Sequence, residues 1–280
     1  MTSKTWFITG SSRGFGREWA EAALGRGDRV AATARDIDTL KPLAERYGEN
    51  VLTLALDVTN RSAAFGAMTR AHEHFGRLDV IVNNAGYGLF GAIEEVSEEE
   101  ARAQIETNLF GALWVTQAAL PFLREQGAGH IVQVSSIGGV VAFGGIGMYH
   151  ASKWGLEGFS EALALEVAPF GIHVTLVEPG GFDTDWGGSS AVHATPLEAY
   201  EMPRRERMGM MAQAPKGRTE ATGAAILEVV DADPPPLRVF FGAAPLGIAK
   251  ARYAARLQTW EEWKDLALAA QGQPVEAGSS

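Results

Sequence analysis

Apolar residues along the chain gather in seven short runs, at positions 5–9, 29–34, 51–58, 78–85, 130–136, 172–178 and 237–241. Longer stretches separate most of them, with apolar positions recurring at helical spacing. The runs are rich in Val, Ile and Leu and lack polar alternation, as in Val80-Ile81-Val82. That texture suits parallel strands buried on both faces by helices. Right-handed crossovers then predict an α/β chain wound as a doubly wound sheet. The pattern breaks between 183 and 218 into Gly187-Gly188-Ser189-Ser190, scattered charges and the methionines Met202, Met208, Met210 and Met211. Methionine adapts to irregular apolar shapes, so this segment reads as a substrate lid, and the packing of short helices explains the same residues. From 246 to 270 the pattern is helical again, with Trp260 and Trp263 able to share one face as core or subunit contact. The Gly, Pro and Ser bearing segment 271–280 reads as a mobile tail.

A chain of 280 residues, 46% hydrophobic, can bury a large core within one domain, here expected over 1–270. A formal net charge of −10 disfavours nucleic acid or an anionic membrane as main partner. The absence of cysteine excludes disulfides, thiolate catalysis and Cys-bearing zinc sites. The six histidines show no metal-ligand spacing, so no metal is expected. The first apolar run begins almost at Met1, which leaves no room for a signal peptide and predicts a cytoplasmic protein. No apolar run approaches the ~20 residues of a membrane span; 111–123 reads as a buried helix.

Candidate chemistry concentrates at the ends of the predicted strands. After the first lies Thr9-Gly10-Ser11-Ser12-Arg13-Gly14-Phe15-Gly16, opening a helix around 17–24. Glycines there let backbone N–H groups and the positive helix end face a pyrophosphate. At the tip of the second strand, where an acid would contact the ribose of NAD, stands Arg35. A guanidinium suits the 2′-phosphate of NADP(H), and Arg13 offers another. If the strand ends one residue later, Asp36 takes that place and NAD(H) is favoured instead. Asp57 and Val58 close the third run and Asn83-Asn84-Ala85-Gly86 the fourth, both at the ligand-binding edge. Tyr149 and Lys153 stand four apart on a predicted helix, so the ammonium can favour the phenolate. Tyr149 is then a general acid or base for a carbonyl or alcohol. Ser136 could polarise the substrate oxygen, with Ser135 as its rival, since neighbouring strand side chains point oppositely. Asn108 falls in a helical stretch where its amide could hold a water against Lys153.

In this order the motifs resemble those of the short-chain dehydrogenase/reductase family. The resemblance rests on Thr9-Gly10-x-x-x-Gly14-x-Gly16, Asp57, Asn83-Asn84-Ala85-Gly86, Asn108, Ser136, Tyr149-x-x-x-Lys153 and Pro179-Gly180-x-x-x-Thr184. It implies a single-domain Rossmann-type, seven-stranded parallel sheet and an Asn108-Ser136-Tyr149-Lys153 tetrad, choosing Ser136 over Ser135. It further implies that Asp57 contacts adenine and that Asn83, Ala85 and Gly86 line the adenosine side. By the same resemblance Lys153 binds the nicotinamide ribose, and Pro179, Gly180 and Thr184 hold the carboxamide. Arg13 and Arg35 match the NADP-preferring pattern of the family. The expected function is NADP(H)-dependent interconversion of a ketone or aldehyde with an alcohol, on a bulky apolar substrate of the hydroxysteroid, retinoid or xenobiotic-ketone kind. A homo-oligomer, dimer or tetramer, is expected too. A non-catalytic NADP-binding redox sensor is the alternative, and a sugar-nucleotide epimerase shares Tyr-x-x-x-Lys but uses a larger substrate domain.

Overall fold

The structure is a computed structural model and describes residues 3–188 and 190–272. Its first half runs β1 (Thr5–Ile8), α1 (Gly14–Gly25), β2 (Arg29–Ala34), α2 (Lys41–Tyr47), β3 (Val51–Ala55), α3 (Arg61–Phe75) and β4 (Val80–Asn83). The short β5 (Leu89–Phe90), α4 (Glu98–Ile105), α5 (Gly111–Gln126), β6 (Gly129–Val134), α6 (Gly147–Val167) and β7 (Ile172–Pro179) follow. The rest comprises β8 (Val192–His193), α7 (Glu201–Gln213), α8 (Thr222–Asp231), β9 (Arg238–Phe241), α9 (Pro245–Glu262) and α10 (Lys264–Ala270).

Successive residues of each strand feed two separate cores, which is why the strands read as uninterrupted apolar runs. Trp6 and Ile8 of β1, Val80 and Val82 of β4, and Val132 and Val134 of β6 meet Trp19, Ala23, Leu24, Ile226 and Val230 on one face. Phe7, Ile81 and Ile131 meet Met68, Val115, Ala119, Leu163 and Val167 on the other. Helices α1, α2 and α8 therefore cover one side and α3, α5 and α6 the other. The sheet is parallel throughout, in the order β3-β2-β1-β4-β6-β7-β9. Trp6 pairs with both Val30 and Val80, so β1 is central and the winding reverses between β1 and β4. A second, two-stranded ladder joins β5 to β8.

Four strands, β1, β3, β4 and β6, stop earlier than their apolar runs, and each early stop delivers residues to the carboxyl edge. Leu56 N–H still bonds Ala34 O at 2.9 Å, but Asp57 then turns the chain by accepting from Thr59 N (3.0 Å) and Thr59 Oγ1 (2.8 Å). Past β6, Ser135 N–H is shared between Gln133 O and Val177 O, at 3.1 and 2.8 Å, and the chain bends away. The expected C-terminal helix is two helices meeting at Trp263. Trp260 and Trp263 are 64% and 62% exposed, so the core reading of that pair is not met. The tail expected at 271–280 lies, from 273 onward, outside the described residues. Among the described residues no helix is long and apolar enough to cross a membrane, and no group of three or more His, Cys, Asp or Glu is placed to hold a metal ion.

Candidate active site

A cleft of about 1970 Å³ opens at the carboxyl edge, across the switch point between β1 and β4. Gly10, Ser12, Arg13, Gly14 and Phe15 form one wall, with Arg35, Asp57, Val58, Ala85 and Gly86 beside them. Pro179, Gly180 and Thr184 close it from the β7 side, and Ser136, Tyr149 and Lys153 stand at its centre.

The glycine-rich turn fits a dinucleotide phosphate on its own geometry. Gly10 and Gly14 have φ of +68° and +55°, the left-handed region that disfavours a side chain. A Cβ on Gly14 would have no neighbour nearer than Thr184 Cγ2 at 3.9 Å, so it would project into the cleft that the turn leaves clear. Helix α1 begins there with no acidic residue in its first turn and no side-chain cap, leaving its N-terminal N–H groups to meet an anion. Gly16 acts differently from expectation. It does not line the cleft; a Cβ there would lie 2.4 Å from Gly10 O and 2.5 Å from Asn84 Nδ2, so it is the packing of α1 under the turn that demands glycine.

Strand β2 ends at Ala34, which puts Arg35 at its tip. Arg35 lines the cleft, is exposed and makes no ion pair among the described residues. Asp36 is spent elsewhere, accepting from Asp38 N at 3.0 Å as cap of the following turn. Asn83 corrects the expectation for the fourth strand. As the last residue of β4 it is buried, donates to Thr116 Oγ1 at 3.0 Å and does not line the cleft. Asn84 takes that place instead, donating from Nδ2 to Thr9 O (2.9 Å) and Gly10 O (3.1 Å) and so tying β4 to the glycine-rich turn.

Tyr149 and Lys153 share one face of α6. The Ser136 hydroxyl is placed to favour the Tyr149 phenolate, while its own Oγ accepts from Gly138 N–H at 2.9 Å, leaving its hydrogen to donate. Ser135 also lines the cleft, but its hydroxyl is buried beside Gly139 and has no hydrogen-bond partner among the described residues. The Lys153 ammonium sits 5.9 Å from the Tyr149 ring centre and donates to Val134 O at 2.7 Å. Burial, not Lys153, sets the direction for the phenol. Burial pushes Tyr149 up to about 12, only partly opposed by the Ser136 hydrogen bond. Burial also pulls Lys153 down to about 8, against the nearby Glu157 charge. The phenol is thus held as a proton donor.

Asn108 is buried in a π-helical turn spanning Glu106–Phe110 and does not line the cleft. Its amide hydrogens go to Tyr87 O (3.0 Å) and Ser152 Oγ (3.2 Å), and its Oδ1 accepts from Tyr87 N–H at 3.1 Å. Only the second lone pair of Oδ1 is left for a water. It turns toward Lys153 over Gly86, where a Cβ would come 3.1 Å from Oδ1 and 3.8 Å from Lys153 Nζ.

Several groups escaped the sequence reading. Trp186 packs edge-on against Tyr149 with ring centres 4.9 Å apart, and against Phe90 at 5.2 Å. His150, the residue after the tyrosine, is neutral: burial lowers it, Nδ1 donates to Gly138 O (2.7 Å) and Nε2 accepts from Phe143 N–H (2.8 Å). It pins the loop that follows Ser136 to α6. All four methionines are exposed, Met210 most of all at 69%, and of them Met210 and Met211 also line the cleft. The face of α7 turned inward instead carries Arg204 and Arg207, a period of three and four legible in the sequence but masked by the methionines.

A doubly wound sheet whose carboxyl edge joins a phosphate-fitting turn to a tyrosine, a serine and a lysine defines a dinucleotide-dependent oxidoreductase. The family model for short chain dehydrogenase matches residues 4–193, and the chain belongs to that family. Family members use nicotinamide cofactors and act on small molecules. Oxidoreductase BOA17 of Botryotinia fuckeliana (strain B05.10) is 42% identical over 275 residues, 95% of this chain and 99% of that protein. The crystal structure of a short-chain dehydrogenase from Streptomyces avermitilis matches with a TM-score of 0.90 at 36% identity, covering 96% of this chain and 98% of that one. An alcohol dehydrogenase from the archaeon Thermococcus sibiricus, complexed with 5-hydroxy-NADP, matches at 0.71 and 27% identity over 86% of this chain and 96% of that one.

Proposed function

We propose that the protein is an NADP(H)-dependent oxidoreductase of the alcohol and carbonyl class, acting on a bulky, largely apolar substrate. The observation that carries this reading is the convergence of Tyr149, Ser136 and Lys153 beside the glycine-rich turn. The nicotinamide, when bound, supplies or accepts the hydride. Ser136 donates to the substrate oxygen and fixes its orientation. Tyr149, held protonated by burial, gives its proton to that oxygen in reduction and takes it back in oxidation. Lys153, charged below about pH 8, steadies the phenolate left behind, and Asn108 Oδ1 faces it across Gly86 to resupply a proton through water.

Preference for NADP(H) over NAD(H) follows from charge at the tip of β2. Arg35 lines the cleft there and Arg13 stands in the turn opposite, while Asp36, the one acid that would favour NAD, is committed to its cap. Residues 10, 12–15, 57, 58, 85, 86, 179, 180 and 184 hold the cofactor, with Asn84 bracing the turn. Residues 1–270 act as one catalytic unit, 183–218 covers the substrate, and the molecule works in the cytoplasm as a homo-oligomer.

The test is NADPH oxidation by the purified protein over steroids, aromatic ketones, aldehydes, sugars and acyl thioesters, with NADH in parallel. Turnover with NADPH on one class supports the reading. Tight NADPH binding with no turnover in either direction would replace it with a cofactor-sensing role.

A further inference from the structure

The inward face of α7, with Tyr200 just before it, presents Pro203, Arg204, Arg207, Met210 and Met211 to the cleft. In a chain of net charge −10, two guanidiniums on the face of α7 turned to the cleft call for a reason. Arg204 has one. It is paired with Glu95, which also accepts from Leu197 N–H and Ala92 N–H. Arg207 has no ion pair among the described residues. Its Nη1 donates to Gly145 O at 2.6 Å, its plane lies 5.5 Å from the Phe90 ring centre, and its Nε is buried with no acceptor. Gly145 is shaped to it, since a Cβ there would come 2.7 Å from Nη1 and 2.8 Å from Cζ. The side chain is thus held between a backbone and a ring, with Nη1 in use.

Half-burying a cation is costly unless a counter-charge is supplied, and the carboxylate that acts on Arg207, Glu95, is already paired with Arg204. Burial and the neighbouring Arg204 charge do lower this guanidinium below its ordinary value, yet an arginine does not discharge in a protein. Nη1 is engaged by Gly145 and Nε is enclosed, which leaves Nη2 to donate to a ligand, and a carboxylate is an anion that a guanidinium binds well. Arg207 also reports back to the chemistry. Phe90 beneath it touches Trp186, which touches Tyr149, in steps of 5.5, 5.2 and 4.9 Å. A molecule lying along that aromatic wall has one end at the phenol and the other at the guanidinium.

We propose that the substrate is an apolar carbonyl compound, or the corresponding alcohol, that also bears a carboxylate, and that Arg207 binds this carboxylate while Tyr149 serves the reacting oxygen. The proposal rests on the reductase reading above and narrows its substrate class. A monoanion matches the one charge that Arg207 carries, whereas a phosphate dianion would bring a second charge into a cleft that Glu95 and Glu206 also line.

The experiment compares benzoylpropionate with its methyl ester, as substrates with NADPH and as ligands of the NADPH-loaded protein by calorimetry, in the wild type, Arg207→Met and Arg207→Lys. The acid should exceed the ester by about ten- to a hundredfold in kcat/KM and in affinity, mainly through KM. Arg207→Met should bring that ratio to near unity, and Arg207→Lys should keep part of it. Equal use or equal binding of acid and ester by the wild type overturns the proposal, as does a ratio that survives Arg207→Met. If Arg207→Met does not fold, the wild-type ratio and Arg207→Lys decide. The two readings fail separately: acid and ester reduced alike would sink the carboxylate subsite alone, whereas tighter binding of the acid without reduction of either would sink the reductase reading alone.

Discussion

The two ends of the cleft are built from different material. The cofactor end is made of backbone, in turns at the tips of β1, β2, β3 and β4 whose geometry the sheet fixes. The substrate end is made of side chains on α7 and its flanking turns, a helix joined to the body through Arg204–Glu95, Arg207–Gly145 and Tyr200–Glu94. A site of backbone N–H groups tolerates no added atom but carries little selectivity. A site of side chains on an outlying helix tolerates change and decides what is bound. The same sheet can therefore keep its hydride chemistry while the helix above it sets the substrate.

The largest contrast between the ends should come from Gly16→Ala. With a Cβ 2.4 Å from Gly10 O, it should cost about 3 kcal/mol of stability, read from the denaturant midpoint, and abolish NADPH binding at working concentrations. Arg35→Asp, at the same end but on a side chain, should leave stability alone and weaken NADPH by about 1.5–3 kcal/mol, narrowing the NADPH/NADH ratio. An unchanged ratio would remove Arg35 from the cofactor site. Between the two ends, the rate of carbonyl reduction should follow Lys153. Its folded value lies below its ordinary 10.5, so the ammonium is present below about pH 8 and lost above it. Reduction should fall about tenfold one pH unit beyond that point, read from a pH profile of kcat. Met208→Ala, exposed on the outer face of α7, should change stability by no more than about 0.5 kcal/mol and leave turnover as it was.

The same division explains what the sequence disclosed. Backbone sites leave a signature in residue type and spacing, so the glycine-rich turn, the helix pair Tyr149 and Lys153, and the parallel strands were all legible. Where a strand end fell decided the remainder. Ala34 as the last residue of β2 hands the tip to Arg35, and Asn83 as the last residue of β4 turns its amide inward and gives the cleft Asn84. The second apolar run ends where β2 does, at Ala34, whereas the run 78–85 continues past Asn83, so hydrophobic pattern alone did not fix the end of β4. Trp186 and Arg207 were beyond reach for another reason. Their importance lies in contacts with Tyr149, Phe90 and Gly145, which only the fold brings together. The direction of the Tyr149 shift was misread because spacing reveals a nearby lysine but not the depth of burial, and burial is the larger effect here.

The central claim is that Tyr149 exchanges the proton that accompanies hydride transfer. Tyr149→Phe removes one oxygen from a ring that Trp186 and Ile146 hold in place. NADPH oxidation with the best carbonyl found, measured beside NADPH affinity in the same preparation, should show turnover lower by about a hundred- to ten-thousandfold with cofactor binding nearly unchanged. Turnover close to that of the wild type would contradict the account and place the proton donor elsewhere in the cleft.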